Sequence, residues 1–178
     1  EMIPGDDFDL GEDGSALYYA DWDVVGIMFR DWKPAQSHNI SIQGTSGKTS
    51  YFLSVGYNHE EGVMTFNPDK LNKYNANMNV TSDITNWLQI GGRFSYSDKA
   101  YTTPNTRRNT YTYMWRWGSF FGPYGTYQGI DMKNDIAYLK QAGDDKTNDS
   151  YTRIGAFLKA TIIKGLTLNA DYTFNINN

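Results

Sequence analysis

From residue 36 onward the chain alternates between apolar and polar positions. In residues 36–44, Ile40 and Ile42 fall on one side, and Asn39, Ser41 and Gln43 on the other. In the next run Tyr51, Leu53, Val55 and Tyr57 share a side, opposite Phe52, Ser54, Gly56 and Asn58. Strand side chains point to opposite faces in turn, so each run predicts a strand with one apolar and one small-polar face. Gly44 and Gly47 offer the backbone freedom of a tight turn, and the two runs predict a hairpin. Four later runs repeat the design. Tyr74, Ala76, Met78 and Val80 oppose Asn75, Asn77, Asn79 and Thr81. Leu88, Ile90, Gly92, Phe94 and Tyr96 oppose Gln89, Gly91, Arg93, Ser95 and Ser97. Ile154, Ala156, Leu158, Ala160 and Ile162 oppose Arg153, Gly155, Lys159 and Thr161. In the last run Leu166, Leu168, Ala170, Tyr172, Phe174 and Ile176 alternate with Thr167, Asn169, Asp171, Thr173, Asn175 and Asn177.

About six strands of ~9–11 residues result, the length that crosses a bilayer when tilted. Every second connection is short: the Gly-Lys turn, residues 82–86, and Lys164-Gly165. The other two, at residues 59–69 and about 99–150, are long. Short turns on one side and long loops on the other are the asymmetry of outer-membrane barrels. A face of Asn, Ser, Thr and Gly makes no protein core, but it can line a wet or plugged lumen. Tyr57, Tyr96, Tyr172 and Phe174 are candidates for an interfacial aromatic girdle. The expected fold is all-β, an antiparallel transmembrane β-barrel segment with a short N-terminal helix.

That helix follows an acidic stretch. Asp6, Asp7, Asp9, Glu12 and Asp13 stand among Gly5, Gly11 and Gly14 and predict an irregular solvated loop. A calcium loop counted from Asp7 would need a third ligand where Gly11 stands, so the spacing fails. Trp22, Val25, Phe29 and Trp32 then recur at helical spacing, with Asp21 as N-cap and Pro34 as terminator. Residues 1–35 are therefore expected as acidic loop and aromatic helix on the periplasmic side. Residues 36–178 are expected as barrel wall, with a long extracellular loop at about 99–150.

Composition narrows the class. Apolar residues are 39% of the chain, below the ~45–50% of soluble globular proteins. Aromatics are 16%, with 14 Tyr and 5 Trp. Many rings and few aliphatics suit two-faced strands better than a compact aqueous core. The net charge of −4 argues against nucleic acid as a partner. Without Cys there are no disulfides and no thiolate metal sites. No apolar run reaches the ~18 residues of a transmembrane helix, and alternating strands never produce one. Starting at Glu1 and stopping at Asn178 just after an alternating run, the sequence reads as an internal piece of something larger.

Little in the sequence speaks for catalysis. Residues 44–49 mimic the end of a phosphate loop, but Ile42 stands where its first Gly belongs and a strand follows. His38 and His59 are placed at opposite ends of one hairpin, too far apart to share a metal. No cofactor, metal or catalytic constellation is expected, and the chain does not read as an enzyme. The functional expectation falls on the 99–150 loop. Its candidates for ligand or partner contact are Tyr111, Tyr113, Trp115, Arg116, Trp117, Phe120, Phe121, Tyr124 and Tyr127. Rings stack on sugars or peptide side chains, and Arg107, Arg108 and Arg116 can pair with acidic groups. This aromatic density argues against disorder. The alternative is that the rings pack among themselves or against a partner protein.

Several segments together resemble the SusC/RagA family of TonB-dependent outer-membrane transporters of Bacteroidetes. They are Trp22 and Phe29, Pro34-Ala35-Gln36-Ser37-His38-Asn39, Ile40-Ser41-Ile42-Gln43-Gly44, residues 48–57 and Glu61-Gly62-Val63. Tyr74-Asn75-Ala76-Asn77 and Trp87-Leu88-Gln89-Ile90-Gly91 extend the likeness into the next strand pair. The resemblance implies a plugged barrel of ~22 strands in the bacterial outer membrane. It also implies import of oligosaccharides or peptides, driven through the TonB complex and shared with a SusD-like surface lipoprotein. It implies no catalytic residue. Two other classes compete with it: a passive porin-like barrel, and a secreted β-sandwich that binds glycans.

Overall fold

The structure is a computed structural model that describes residues 1–19, 22–116, 124–132 and 134–178. The chain forms two compact units. One comprises residues 35–60, 71–101 and 147–178; the other comprises residues 1–34, 61–70 and 102–146.

The first unit is a sheet of six strands. In chain order these are β3 (Ala35–Ser46), β4 (Thr49–Glu61), β5 (Lys70–Asp83), β6 (Leu88–Pro104), β9 (Asp144–Ile163) and β10 (Leu166–Asn177). Their order across the sheet is β10-β9-β6-β5-β4-β3, so chain neighbours are sheet neighbours. The β3–β4 pair is antiparallel, running from Ala35↔Glu60 to Ser46↔Thr49. The β9–β10 pair is antiparallel, with a register shift at its turn between Leu166 and Thr167. All six expected strands are present, and all exceed the expected length. β6 has 17 residues and β9 has 20. Their apolar alternation stops at Tyr96 and begins near Ile154, yet the strands run on through polar sequence. Hydrogen bonds between neighbouring backbones end a strand, and these need no apolar side chains.

The two faces divide as the alternation implies. Ile40, Ile42, Leu53, Val55, Ile154, Leu168 and Phe174 all stand exposed. On the other face polar side chains bond across strands. Ser95 Oγ donates to Asn77 Oδ1 at 2.9 Å, and Asn77 Nδ2 reaches Ser54 Oγ at 3.5 Å. Arg93 pairs with Asp171 at 3.1 Å and lies 4.6 Å above the Phe157 ring. Phe157 is an aromatic on the polar face, which the alternation does not anticipate. Its ring covers the space over Gly91.

Two local expectations are corrected. The first turn is only Gly47-Lys48, with Gly47 at φ 60°. Gly44 lies inside β3 opposite Tyr51, and a Cβ there would stand 2.6 Å from the Tyr51 hydroxyl. Gly44 therefore makes room for a ring instead of making the turn. His38 and His59 are not at opposite ends of the hairpin. His38 pairs with Tyr57, so both imidazoles lie near the open end, each 6.5 Å from the Tyr57 ring. Asn72 Oδ1 accepts from the Tyr57 hydroxyl at 3.1 Å and lies 2.8 Å from His59 Nδ1.

The second unit holds the short elements: β1 (Phe8–Leu10), β2 (Ala16–Tyr18), α1 (Val24–Met28), α2 (Arg107–Arg116), β7 (Thr126–Tyr127), β8 (Ile130–Asp131) and α3 (Asp135–Gln141). The acidic stretch is more ordered than expected, because β1 and β2 pair antiparallel. In their turn the Ser15 N–H and hydroxyl donate to Asp13 Oδ1 at 3.0 and 2.6 Å, which holds the Asp13 carboxyl below its ordinary pKa. The aromatic helix is shorter than its periodicity. Asp23 caps it by accepting from Gly26 N–H at 2.9 Å, and the expected cap, Asp21, lies outside the described residues. Two valines and a glycine are weak helix formers. Phe29 is extended and bridges to Met64, and Arg30 N–H donates to Val63 O at 2.9 Å. Pairing with residues 63–65 thus replaces the rest of the helix.

Residues 1–34 join the long connections 61–70 and 102–146 in this unit.

The glycine contacts separate the two faces of the sheet. A Cβ at Gly91 would collide with the Phe157 ring and come within 2.7 Å of Val80 O, whereas one at Gly92 meets only Gly155 O at 3.9 Å. Gly91→Ala should cost about 1–3 kcal/mol through overpacking, and Gly92→Ala close to nothing. Unfolding temperatures of the two variants in detergent check this; equal losses contradict it.

Candidate functional site

The 99–150 region carries structure at both ends and within. β6 extends into it to Pro104 and β9 leaves it from Asp144. Asn134 caps α3 by accepting from Ala137 N–H at 2.8 Å, and Ile136, Ala137 and Leu139 turn inward and are buried. Asn67, at φ 43°, closes the other end, its side-chain amide donating to the carbonyls of Leu139 and Ala142 at 3.3 and 3.4 Å. Ile136 and Leu139 meet Met28 and Met64 in a buried cluster, with Val24, Ile27, Phe29, Phe66 and Tyr124 packed against it. Three separate stretches of chain thus share one small core. Burial pushes the Asp135 carboxyl above its ordinary pKa in the first turn of α3.

The expected site residues separate into three groups. Tyr124 and Tyr127 make ring contacts within the unit. Tyr124 meets Trp22 edge-on at 6.0 Å and Phe66 at 6.3 Å, and Lys140 Nζ lies 5.8 Å above it. Tyr127 packs edge-on against buried Phe8 at 5.2 Å. Tyr111 and Tyr113 stand on α2, 50% and 39% exposed, with Tyr111 edge-on to Phe29 at 6.4 Å. Trp115 and Arg116 belong to the last turn of α2, but their side chains lie outside the described set, as do Trp117, Phe120 and Phe121 entirely.

One cleft opens beside α2. Thr103, Pro104, Asn105, Arg107, Arg108, Tyr111, Thr112 and Asp145 line about 420 Å³. It lies between the end of β6, the first turns of α2 and the start of β9. Arg107 and Arg108 are exposed. Thr103 Oγ1 and Thr106 Oγ1 are buried without a hydrogen-bond partner among the described residues. The sequence singled out both arginines, but not Thr103, Asn105 or Asp145. Only the end of one strand and the start of another, forty residues on, bring these together. Among the described residues no three His, Cys, Asp or Glu side chains are grouped to hold a metal, and no helix is long and apolar enough to cross a membrane.

An all-β segment of barrel wall, a six-stranded antiparallel sheet with exposed apolar positions on one face, is the class this fold defines. The solved structure of the RagAB peptide importer in the "closed-closed" state contains a similar segment. The two agree with a TM-score of 0.65 and 22% identity over 90% of this chain and 19% of that one. At that identity the likeness shows the fold. The chain spans about a fifth of the length of the chain it matches. No family model matches the chain, and no curated protein matches it.

Tyr124 and Tyr111 should respond differently to truncation. Tyr124→Ala should increase amide hydrogen exchange across α1, residues 63–66 and α3 at least tenfold, because it opens the shared core. Tyr111→Ala should leave exchange there within about twofold. Equal protection in the two variants would place Tyr124 outside the core.

Proposed function

We propose that this chain is part of a TonB-dependent outer-membrane transporter that imports oligosaccharides or peptides together with a SusD-like surface lipoprotein. The observation that carries this reading is the exposed apolar face of the six-stranded sheet. Ile40, Ile42, Leu53, Val55 and Leu168 are each more than two-fifths exposed. Against water such a face is an aggregation hazard; against lipid it is the expected surface. The likeness of the fold to a segment of a peptide importer supports a transporter over a secreted β-sandwich.

In this reading the three short turns face the periplasm and the long loop at about 99–150 is extracellular. Tyr111, Tyr113, Trp115, Arg116, Trp117, Phe120 and Phe121 then contact ligand or lipoprotein. Tyr124 and Tyr127 hold the loops in shape. The TonB complex acts through parts of the transporter outside this chain. The reaction is translocation, with no bond made or broken in the substrate.

Leu53→Arg tests the lipid face. It should destabilise the protein by about 2–4 kcal/mol and reduce its recovery in the outer-membrane fraction. A secreted β-sandwich would tolerate an exposed arginine and fractionate without detergent, which would end the transporter reading.

The aromatic loop has its own test. Trp115→Ala with Trp117→Ala should reduce substrate uptake or lipoprotein co-purification at least severalfold at an unchanged unfolding temperature. A lowered unfolding temperature would assign these rings to packing.

A further inference from the structure

We infer that the rim formed by the three short turns seats anionic phospholipid headgroups, with Lys48 and Lys164 on the lipid phosphates and the Trp87 ring at the same level. The turns make one continuous edge of the sheet. Lys48 O accepts from Asp83 N–H at 2.9 Å, Thr49 Oγ1 lies 2.8 Å from Ser82 Oγ, and Trp87 O accepts from Thr161 N–H at 2.8 Å. Turns that face water are built mainly from Gly, Pro, Asn, Asp and Ser. Along this edge Ile84, Trp87, Ile163 and Leu166 are each at least half exposed. Leu166 begins the row that continues through Leu168 and Ala170, so the apolar surface of the sheet runs on into its turns.

Charge selects the headgroup. Gly47 and Gly165, at φ 60° and 89°, supply the left-handed backbone of the two tightest turns, which leaves the residue beside each of them open in chemistry. In both turns that residue is an exposed lysine, and neither lysine has an ion pair among the described residues. Asp83 is the one acid in residues 46–49, 82–88 and 161–167, and its carboxylate accepts from Gln89 Nε2 at 2.8 Å. A lysine stem lies along apolar surface while its ammonium reaches the phosphates, and an indole ring favours the same interface. Beside anionic lipid each lysine contributes about fivefold in affinity. This inference rests on the transporter reading for the presence of a bilayer; the choice among headgroups belongs to the rim itself.

The test uses the full-length protein purified in detergent, with lipid binding measured by native mass spectrometry. The probes are dioleoylphosphatidylglycerol and dioleoylphosphatidylcholine, which share their acyl chains and differ in net charge. The parent should bind phosphatidylglycerol at least tenfold more tightly. Lys48→Gln and Lys164→Gln should each reduce that preference about fivefold and leave phosphatidylcholine binding and the unfolding temperature unchanged. Trp87→Ala should weaken both lipids alike, because its ring carries no charge. Equal binding of the two lipids by the parent, or a doubly substituted variant that keeps the parent's preference, would overturn the rim, as would lysine variants that weaken both lipids equally. Fractionation of the parent protein separates this failure from that of the transporter. A protein of the outer membrane without headgroup preference refutes the rim alone, whereas one that shows the lysine-dependent preference but fractionates without detergent refutes the transporter alone.

Discussion

Hydrogen bonding between neighbouring strands is the constraint on which this structure depends. Each of the six strands finds its partner next in the chain, so the sheet order repeats the chain order. With backbone groups satisfied inside the sheet, the side chains need not form a core. Ile40, Leu53, Val55 and Leu168 can then remain exposed while the strands stay regular. The same ladder carries β6 and β9 beyond their apolar stretches to Pro104 and back from Asp144. Those polar extensions frame the arginine cleft.

Where rings and glycines meet, the sheet shows how closely its faces are fitted. Gly44 makes room for Tyr51 on the apolar face, and Gly91 for Phe157 on the polar face. Gly56 sits between the side chains of Asn39 and Asn75. In each case a cross-strand neighbour covers the missing side chain, a recurrent way of repairing glycine in a sheet. Arg93 then stacks on Phe157 while paired with Asp171, linking β6, β9 and β10 through one side chain.

The loop unit obeys a different rule. Its core draws Met28, Met64 and the α3 residues Ile136 and Leu139 from three stretches remote in sequence. Helix α3 is held at both ends by asparagine, Asn134 within its own sequence and Asn67 from another loop. Tyr124 and Tyr127 help to shape this unit, while the exposed Tyr111 and the arginines of α2 border its open cleft.

Period-two alternation was enough to locate all six strands, both faces and the division into short turns and long connections, because strand side chains alternate wherever one face is apolar. The sequence by itself also directed the functional expectation to the aromatic, arginine-bearing loop. It could not show where strands end, since the backbone ladder continues through polar residues such as those from Asp144 to Ser150. The helix α3 was in principle legible from Asn134 as cap and from the spacing of Ile136 and Leu139, but the aromatic run beside it is the stronger signal. Tertiary structure alone decided that residues 1–34, 61–70 and 102–146 form one compact unit, that His38 and His59 flank one tyrosine, and that Thr103 and Asp145 share a cleft with Arg107 and Arg108. Each of these depends on register or on long-range packing, which brings together residues whose local patterns carry no record of one another.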